Sequence, residues 1–415
     1  MYPERAGNFV PLSTMSQSLP PELWRTILRF ATSDGIDYEL GIIPGDPSIT
    51  RIERYSAVIK KMSSVRMTHR TKIDITQVSR LFNQVAAEFL YEQVRIDGAS
   101  GATKLFKRLS DTSAGGPRQW IKVIVVQNDS GRPPPAKSHI AAQMVTDILR
   151  LCVDLRGFFW FHRNFFTGQK SSEEMITHIP GNIRVFRWST TGECATLTGF
   201  LHKASTSLRV LVITDSIFCR CATHSPITFP LLTHLTLGGG GGLTSFLRSL
   251  GPMPSLTEFT LCGLNPNIIA GTSAPVWTRT LRIVRMNHEI RVFPTSNTVV
   301  PVLRACPILQ EIHYWCHTRL STQPSSPWTS DLNHPSLQYI SVTGMGTTDV
   351  YRDLQHARSS LCLYFRNISA SRFPVLDTIV VYDIILEEPG SGIYPICVML
   401  RRVSDDFSSA ELSVI

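Results

Sequence analysis

The chain has 415 residues, 43% of them hydrophobic and 18% charged, so we expect a folded protein rather than a disordered one. Its formal charge of +9, with a pI near 9.2, is a mild excess that favours solubility, and nucleic acid is not the expected partner. The first residues lack an apolar signal core and no run of 18 apolar residues occurs, so we expect neither secretion nor a membrane partner. Nine cysteines without framework spacing predict reduced thiols in a cytoplasmic or nuclear protein.

The first predicted helix is LPPELWRTILRFA at 19–31, after a segment, 1–18, that we expect to be disordered. Proline is favoured in the first turn of a helix, and two prolines stand at the start of this one. Leu23, Ile27 and Phe30 follow at helical spacing, which predicts one apolar face.

A long segment, 33–74, separates this helix from the next. Between 51 and 72 it contains seven Lys or Arg residues against one acid, Glu53. Two interpretations stay open: a solvated amphipathic helix packed on its neighbours, or a basic surface that serves as a partner contact or an address signal.

The second predicted helix covers 75–90, ITQVSRLFNQVAAEFL, and leads into LYEQVRI, where Val94 and Ile96 alternate as in a strand. Its apolar face consists of Val78, Phe82, Val85 and Phe89.

The L-P-x-E-L-x-x-x-I helix, the V-S-R-x-F-x-x-x-A helix and the L-Y-x-x-V-x-I segment together resemble the F-box, and many fungal F-box proteins carry a repeat region behind it. The resemblance implies a small α-helical F-box-like domain over 19–97, in which the insert 33–74 departs from the family pattern. It also implies docking to the adaptor protein and cullin scaffold of an SCF-type ubiquitin ligase, with Val78 and Phe82 helping to hold the fold. The residues expected to contact the adaptor are Leu19, Pro20, Leu23 and Ile27.

From residue 180 onward, one L-x-x-L-x-L template recurs eight times, with steps of 25, 24, 24, 25, 28, 28 and 39 residues. A period of about 20–29 residues predicts a leucine-rich-repeat solenoid, in which each unit buries its apolar face against its neighbours. We therefore expect an α/β fold in which 98–415 form a curved leucine-rich-repeat-like solenoid with a parallel sheet. The first apolar residues of the eight segments are Ile183, Leu208, Leu232, Leu256, Leu281, Leu309, Leu337 and Leu376.

Each template predicts a strand, and a proline two residues before the first leucine predicts a turn in front of it, because proline stops a preceding helix. Helical periodicity between the templates predicts the rest of each unit. The prolines are Pro230, Pro254, Pro307, Pro335 and Pro374. The helical stretches are 141–152, 196–204, 241–251 and 297–307.

Two earlier segments are degenerate members of the series, which brings the expected number of strands to about ten. QWIKVIVVQ at 119–127 places Trp120, Val123 and Val125 on the core side, and DLRGFFWFH follows at 154–162. The last step of 39 residues predicts an insertion or a skipped strand.

The residues that alternate with the core positions of each strand are expected on the opposite side of the sheet, here called the open face. Aromatic and arginine side chains on such a surface favour protein binding. At its centre Arg285 is expected to engage an acidic or phosphorylated segment. The residues predicted to bind a target protein are Arg187, His234, Glu258, Arg285, His313, Trp315, Tyr339 and Tyr382.

No motif predicts catalysis, a cofactor or a metal. The glycine run 238–242 lacks the residues of a phosphate-binding loop. Cys219, Cys221 and His224 lack a second pair of zinc ligands. We expect a non-enzymatic substrate receptor of a ubiquitin ligase, with an interaction scaffold unconnected to a ligase as the main alternative and an enzyme or nucleic-acid reader as a third.

Overall fold

The computed structural model describes residues 19–32, 70–111, 116–127, 135–161, 169–189, 195–214, 226–238, 246–247, 250–262, 276–287, 299–315, 328, 331–343, 350–351, 354–388, 392–401 and 411–414. Segment 1–18 and residues 33–69 of the insert, with most of its basic stretch, lie outside these residues. The fold is mixed α/β and is built on one large, mostly parallel sheet, so the predicted α/β class with a parallel sheet is confirmed.

Among the described residues, three helices precede the sheet: α1 (Pro21–Thr32), α2 (70–78) and α3 (Arg80–Glu92). The single helix expected over 75–90 is wrong, because the chain is extended at Ser79, with φ −161°. The Ser79 hydroxyl accepts a hydrogen bond of 3.2 Å from the backbone N–H of Phe82 and so caps α3.

The strands in chain order are β1 (Gln93–Asp97), β2 (Val123–Gln127), β3 (Gly157–Phe161), β4 (Val185–Ser189), β5 (Val210–Thr214), β6 (His234–Gly238), β7 (Glu258–Cys262), β8 (Ile283–Asn287), β9 (Glu311–Trp315), β10 (Tyr339–Thr343), β11 (Val350–Tyr351), β12 (Thr378–Glu388), β13 (Gly392–Arg401) and β14 (Glu411–Val414). The helices after β1 are α4 (Gly98–Ser110), α5 (Pro135–Leu151), α6 (Gln169–Thr177), α7 (Ala195–Ala204), α8 (Val299–Ala305) and α9 (Leu354–Phe365).

Each strand from β1 to β9 pairs in parallel with the next strand along the chain, and β12 continues the series beside β10. A parallel connection needs a crossover on one side of the sheet. Helices α4 to α9 lie in six of these connections. The 39-residue step contains α9 and the short β11, which pairs with β12, so the insertion interpretation holds. The antiparallel strands β13 and β14, which the repeat pattern did not predict, extend the same sheet.

The main core lies on one side of the sheet. The first apolar residue of every template is fully buried there, and the five predicted prolines lie in turns. Along each strand, the predicted core residues are also buried; Leu235, Phe259 and Ile312 are at most 1% exposed. The register of β2 was wrong by one residue: Ile121, Ile124 and Val126 join the main core. Trp120 is half-buried, and Val123 and Val125 lie on the opposite side.

Candidate protein-interaction surfaces

Helix α1 packs against α3 through a small core separate from that of the sheet. Its buried members are Leu28, Val85, Ala86 and Phe89. The rings of Trp24 and Phe82 meet edge to face, with their centroids 4.8 Å apart. Arg25 and Glu88 add an exposed ion pair of 3.6 Å, which contributes little to stability. This packing fixes which side of α1 faces away from α3.

Away from α3 lies an apolar stripe of Leu19, Leu23 and Ile27, which are 36%, 49% and 46% exposed. Leu23 and Ile27 are four residues apart and so share one side of α1. Leu19 lies in the bend two residues before the helix begins. The carbonyl of Pro20 accepts hydrogen bonds from the backbone N–H groups of Leu23 and Trp24 at 3.0 and 3.2 Å and anchors the first turn. The side chain of Phe30, expected on the same face, lies outside the described set.

Val78 does not hold the fold as expected. It is 67% exposed on α2, just before the break at Ser79. Phe82, by contrast, packs against the small core. An exposed stripe on α1 and an exposed valine on α2 are unusual for a region that buries so little apolar surface of its own.

All eight residues predicted to bind a target lie on the open face, because each alternates with core residues on its strand. They fall into three rows rather than one. Arg285 and His313 pair in register, and Trp315 lies two residues further along β9. Tyr339, the first residue of β10, pairs with Glu311, the first residue of β9. The structure therefore brings the four central residues together.

The half of the open face formed by β2 to β5 is buried and mostly apolar. Val210 and Val212 belong there to a second apolar cluster together with Val123, Val125, Phe159 and Val185. Arg187 is 4% exposed, because its register neighbours are Phe159 and Val212 of that cluster. The expectation that Arg187 reaches solvent is wrong.

Tyr382, at the other end of the open face, is also buried, at 9% exposure. It packs with Val380, Tyr339 and Met399, the last of which belongs to the unpredicted strand β13. His313, on β9, is buried as well, at 8% exposure, so the expectation that it reaches solvent is wrong. The partly exposed side chains of the predicted set are His234, Glu258, Arg285, Trp315 and Tyr339, all on β6 to β10.

A polar strip crosses those strands and consists of His234, Glu258, Arg285, Glu311, His313 and Tyr339. Glu258 lies at its centre: Oε1 accepts a hydrogen bond from Arg285 Nη1, and Oε2 lies 3.5 Å from His234 Nε2. The three side chains are each about one-fifth exposed. Arg285 therefore has a carboxylate partner within the protein, which leaves it less available for an acidic target than the sequence indicated.

Glu311 is a strip residue that sequence reasoning missed. Its Oε2 lies 3.3 Å from His313 Nε2. This hydrogen bond lowers the pKa of Glu311; burial opposes the shift, and the charges of His313 and Arg285 add to it. The His313 and Tyr339 rings are 5.5 Å apart. The sequence did contain a signal for it: Glu311 is the first residue of the strand EIHYW, just as Glu258 is the first residue of the strand EFTLC.

The described residues offer no metal-binding group of three His, Cys, Asp or Glu side chains, and Cys219, Cys221 and His224 lie outside them. The described cysteines are thiols and form no disulfide with one another. Burial raises the pKa of the Cys152 and Cys306 thiols to about 12, with Arg118 opposing the shift at Cys152. Thiols of this kind are inert.

In the part of the chain that the structure describes, no helix is both long and apolar enough to cross a membrane. A scan against protein-family models finds no matching family, and a search of the curated proteins finds no relative.

Proposed function

We propose that this chain is a substrate-recognition subunit of an SCF-type cullin ubiquitin ligase. In this proposal residues 19–97 form an F-box-like domain, 98–415 form a leucine-rich-repeat-like solenoid, and the protein acts in the cytoplasm or nucleus. The observation that carries the proposal is the exposed apolar stripe Leu19, Leu23 and Ile27, on the helix whose sequence resembles the adaptor-docking element. The protein itself is not an enzyme in this account; it brings a target to one.

Adaptor binding would cover that stripe. Fully burying a leucine or isoleucine side chain contributes about 1.5–3 kcal/mol, and the three are between one-third and one-half exposed in the free chain. Covering them therefore supplies roughly 2–4 kcal/mol, enough to make them the main apolar contribution to docking. Pro20 contributes by setting the first turn of α1 and so the direction of Leu19.

Target binding would use the polar strip and Trp315, which is half-buried at the end of β9. Glu258 already accepts a hydrogen bond from Arg285. The most exposed charged side chain of the strip is that of Glu311, at 39%. A carboxylate beside the rings of His313 and Tyr339 suits a cationic side chain, which gains both ion-pair and cation–π contacts. A basic target segment thus replaces the acidic one as the preferred ligand of this face.

A pull-down with the purified adaptor tests the proposal. The unmutated chain should retain the adaptor, and Leu23→Ala with Ile27→Ala should lose most of it. Ile140→Ala with Val153→Ala is the matched control, since it removes two apolar side chains that are more exposed than Leu23 and Ile27 and lie on and after α5. Adaptor binding by neither the parent nor the control, or undiminished binding by the stripe variant, would contradict the proposal.

An interaction scaffold without a ligase is the second candidate. It is favoured by the helix break at Ser79 and by the exposed Val78, which depart from the second helix that the F-box resemblance implies. In that case the same pull-down gives no adaptor, while target binding through the polar strip persists.

A further inference from the structure

The residue directly before each strand forms a column along the edge of the sheet at which the parallel strands begin. Backbone hydrogen bonds join neighbours in this column: Arg156 N–H to the Lys122 carbonyl at 2.7 Å, then Arg184 to Arg156 and Arg209 to Arg184 at 2.8 Å each. Four successive members of the column are basic residues, and their backbones lie about 4.8 Å apart, which is the spacing between neighbouring strands. We call Lys122, Arg156, Arg184 and Arg209 the basic ladder.

The fold does not require a cation at this position. The equivalent residues of later strands are Thr233, Thr257, Arg282, Gln310 and Gln338, which continue the same backbone hydrogen bonds. Of these five, Arg282 is the one cation, and two threonines separate it from the ladder. Like charges on adjacent strands repel each other, so four in succession weaken the free protein slightly. Acidic residues occupy the column at its two ends, at Glu92 and Asp377.

The basic ladder reaches solvent. Arg156 is exposed, Arg184 and Arg209 are half-buried, and the Lys122 side chain is 29% exposed. Lys122 Nζ lies 3.6 Å from the exposed carboxylate of Asp154, at the rim of the ladder. This edge is opposite to the ends of the strands. The ladder ends beside the polar strip, because the backbone N–H of His234 donates a hydrogen bond of 3.1 Å to the carbonyl of Arg209.

We propose that the basic ladder binds an acidic stripe along an α-helix of a partner protein. Acidic residues three and four apart on a helix have Cβ atoms about 5–6 Å apart, close to the spacing of neighbouring strands. In an extended segment, alternate residues are about 6.7 Å apart, so their spacing does not match that of the basic ladder. Three strand spacings, about 14 Å, correspond to roughly ten helical residues.

The spacing argument thus selects a helix with acids at i, i+3, i+7 and i+10, a span of about 15 Å. Arginine suits the contact, since its planar group donates two hydrogen bonds to one carboxylate. This surface acts independently of adaptor docking, so its test does not depend on the proposed ligase function.

Fluorescence anisotropy with the full chain tests the proposal. The probe is a labelled alanine-based helix of about 18 residues, long enough to be helical, with four glutamates in the stripe described above. Arg156→Glu with Arg184→Glu should weaken its binding at least about tenfold, since it reverses two of four contacts. Lys104→Glu with Lys107→Glu on α4 makes the same change in net charge on exposed residues outside the ladder and should leave binding unchanged.

Three further measurements complete the test. Arg156→Gln alone, at an exposed position, should weaken binding without lowering the melting temperature, which separates contact loss from unfolding. A peptide of the same composition with its glutamates spread around the helix should bind more weakly; equal binding would overturn the stripe. Tighter binding of duplex DNA or of phosphatidylserine vesicles than of the peptide would overturn the assignment to a protein partner.

Discussion

Truncation of Leu235 to alanine tests the arrangement of the strands in the main core. Leu235 is 1% exposed at the centre of β6, and its register neighbours are Leu211 and Phe259, which are fully buried. The change removes buried methyl groups and leaves a cavity beneath β6. The cavity cannot close fully, because β5 and β7 on either side are held by their own neighbours. We expect it to lower the free energy of unfolding by about 2–5 kcal/mol.

The chain provides its own control in the same segment. Leu231 lies in the turn before β6 and is 46% exposed, so Leu231→Ala should cost less than about 1 kcal/mol. Urea unfolding of the full chain, followed by circular dichroism, gives the midpoint for each variant. Equal midpoints for the two variants, or a larger loss for Leu231→Ala, would refute the register on which the whole sheet depends.

Three other outcomes follow from buried groups. Gly238→Ala places a Cβ 2.8 Å from the Cβ of Cys262 and should destabilise by about 1–3 kcal/mol, whereas Gly199→Ala in α7 meets nothing within 4 Å and should be neutral or slightly stabilising in thermal melts. Burial lowers the pKa of His334. The unfolded chain therefore binds more protons than the folded one as the pH falls below about 6.5, and the folded state loses stability there. His334→Gln should make the melting temperature depend less on pH between about pH 7 and pH 5. Cys306, with its thiol pKa raised to about 12, should react with a thiol reagent at about pH 8 only when the chain unfolds, and a reaction in the native state would contradict its burial.

The strands of the eight templates could be predicted from the recurring apolar pattern, and in five of them a second signal coincides with it. Leucine at a fixed position marks the buried start of each strand, and proline marks the turn before it; both hold at Leu256 and Pro254, for example. At 119–127 the proline is missing and the apolar run is continuous, so alternation alone could not choose between Val125 and Val126 as the core residue. A one-residue slip moves every side chain to the other side of the sheet.

The burial of the open face could not be read from local sequence. Whether Arg187 reaches solvent depends on Phe159 and Val212, which are 28 and 25 residues away and meet it only across the sheet. The partner of Arg285 was hidden for the same reason, since Glu258 lies on the preceding strand and makes a diagonal contact. The strip could be located from the sequence, but its charge balance required the register.

Hydrogen exchange of the full chain with and without the purified adaptor tests the central claim most directly. Docking on the apolar stripe predicts slower exchange of the backbone amides in 19–32 when the adaptor is present, because their helix is held and covered. Exchange in β8 and β9 should stay unchanged, since the polar strip remains free for a target. Unchanged exchange in 19–32 at saturating adaptor, or protection confined to β8 and β9, would contradict the account.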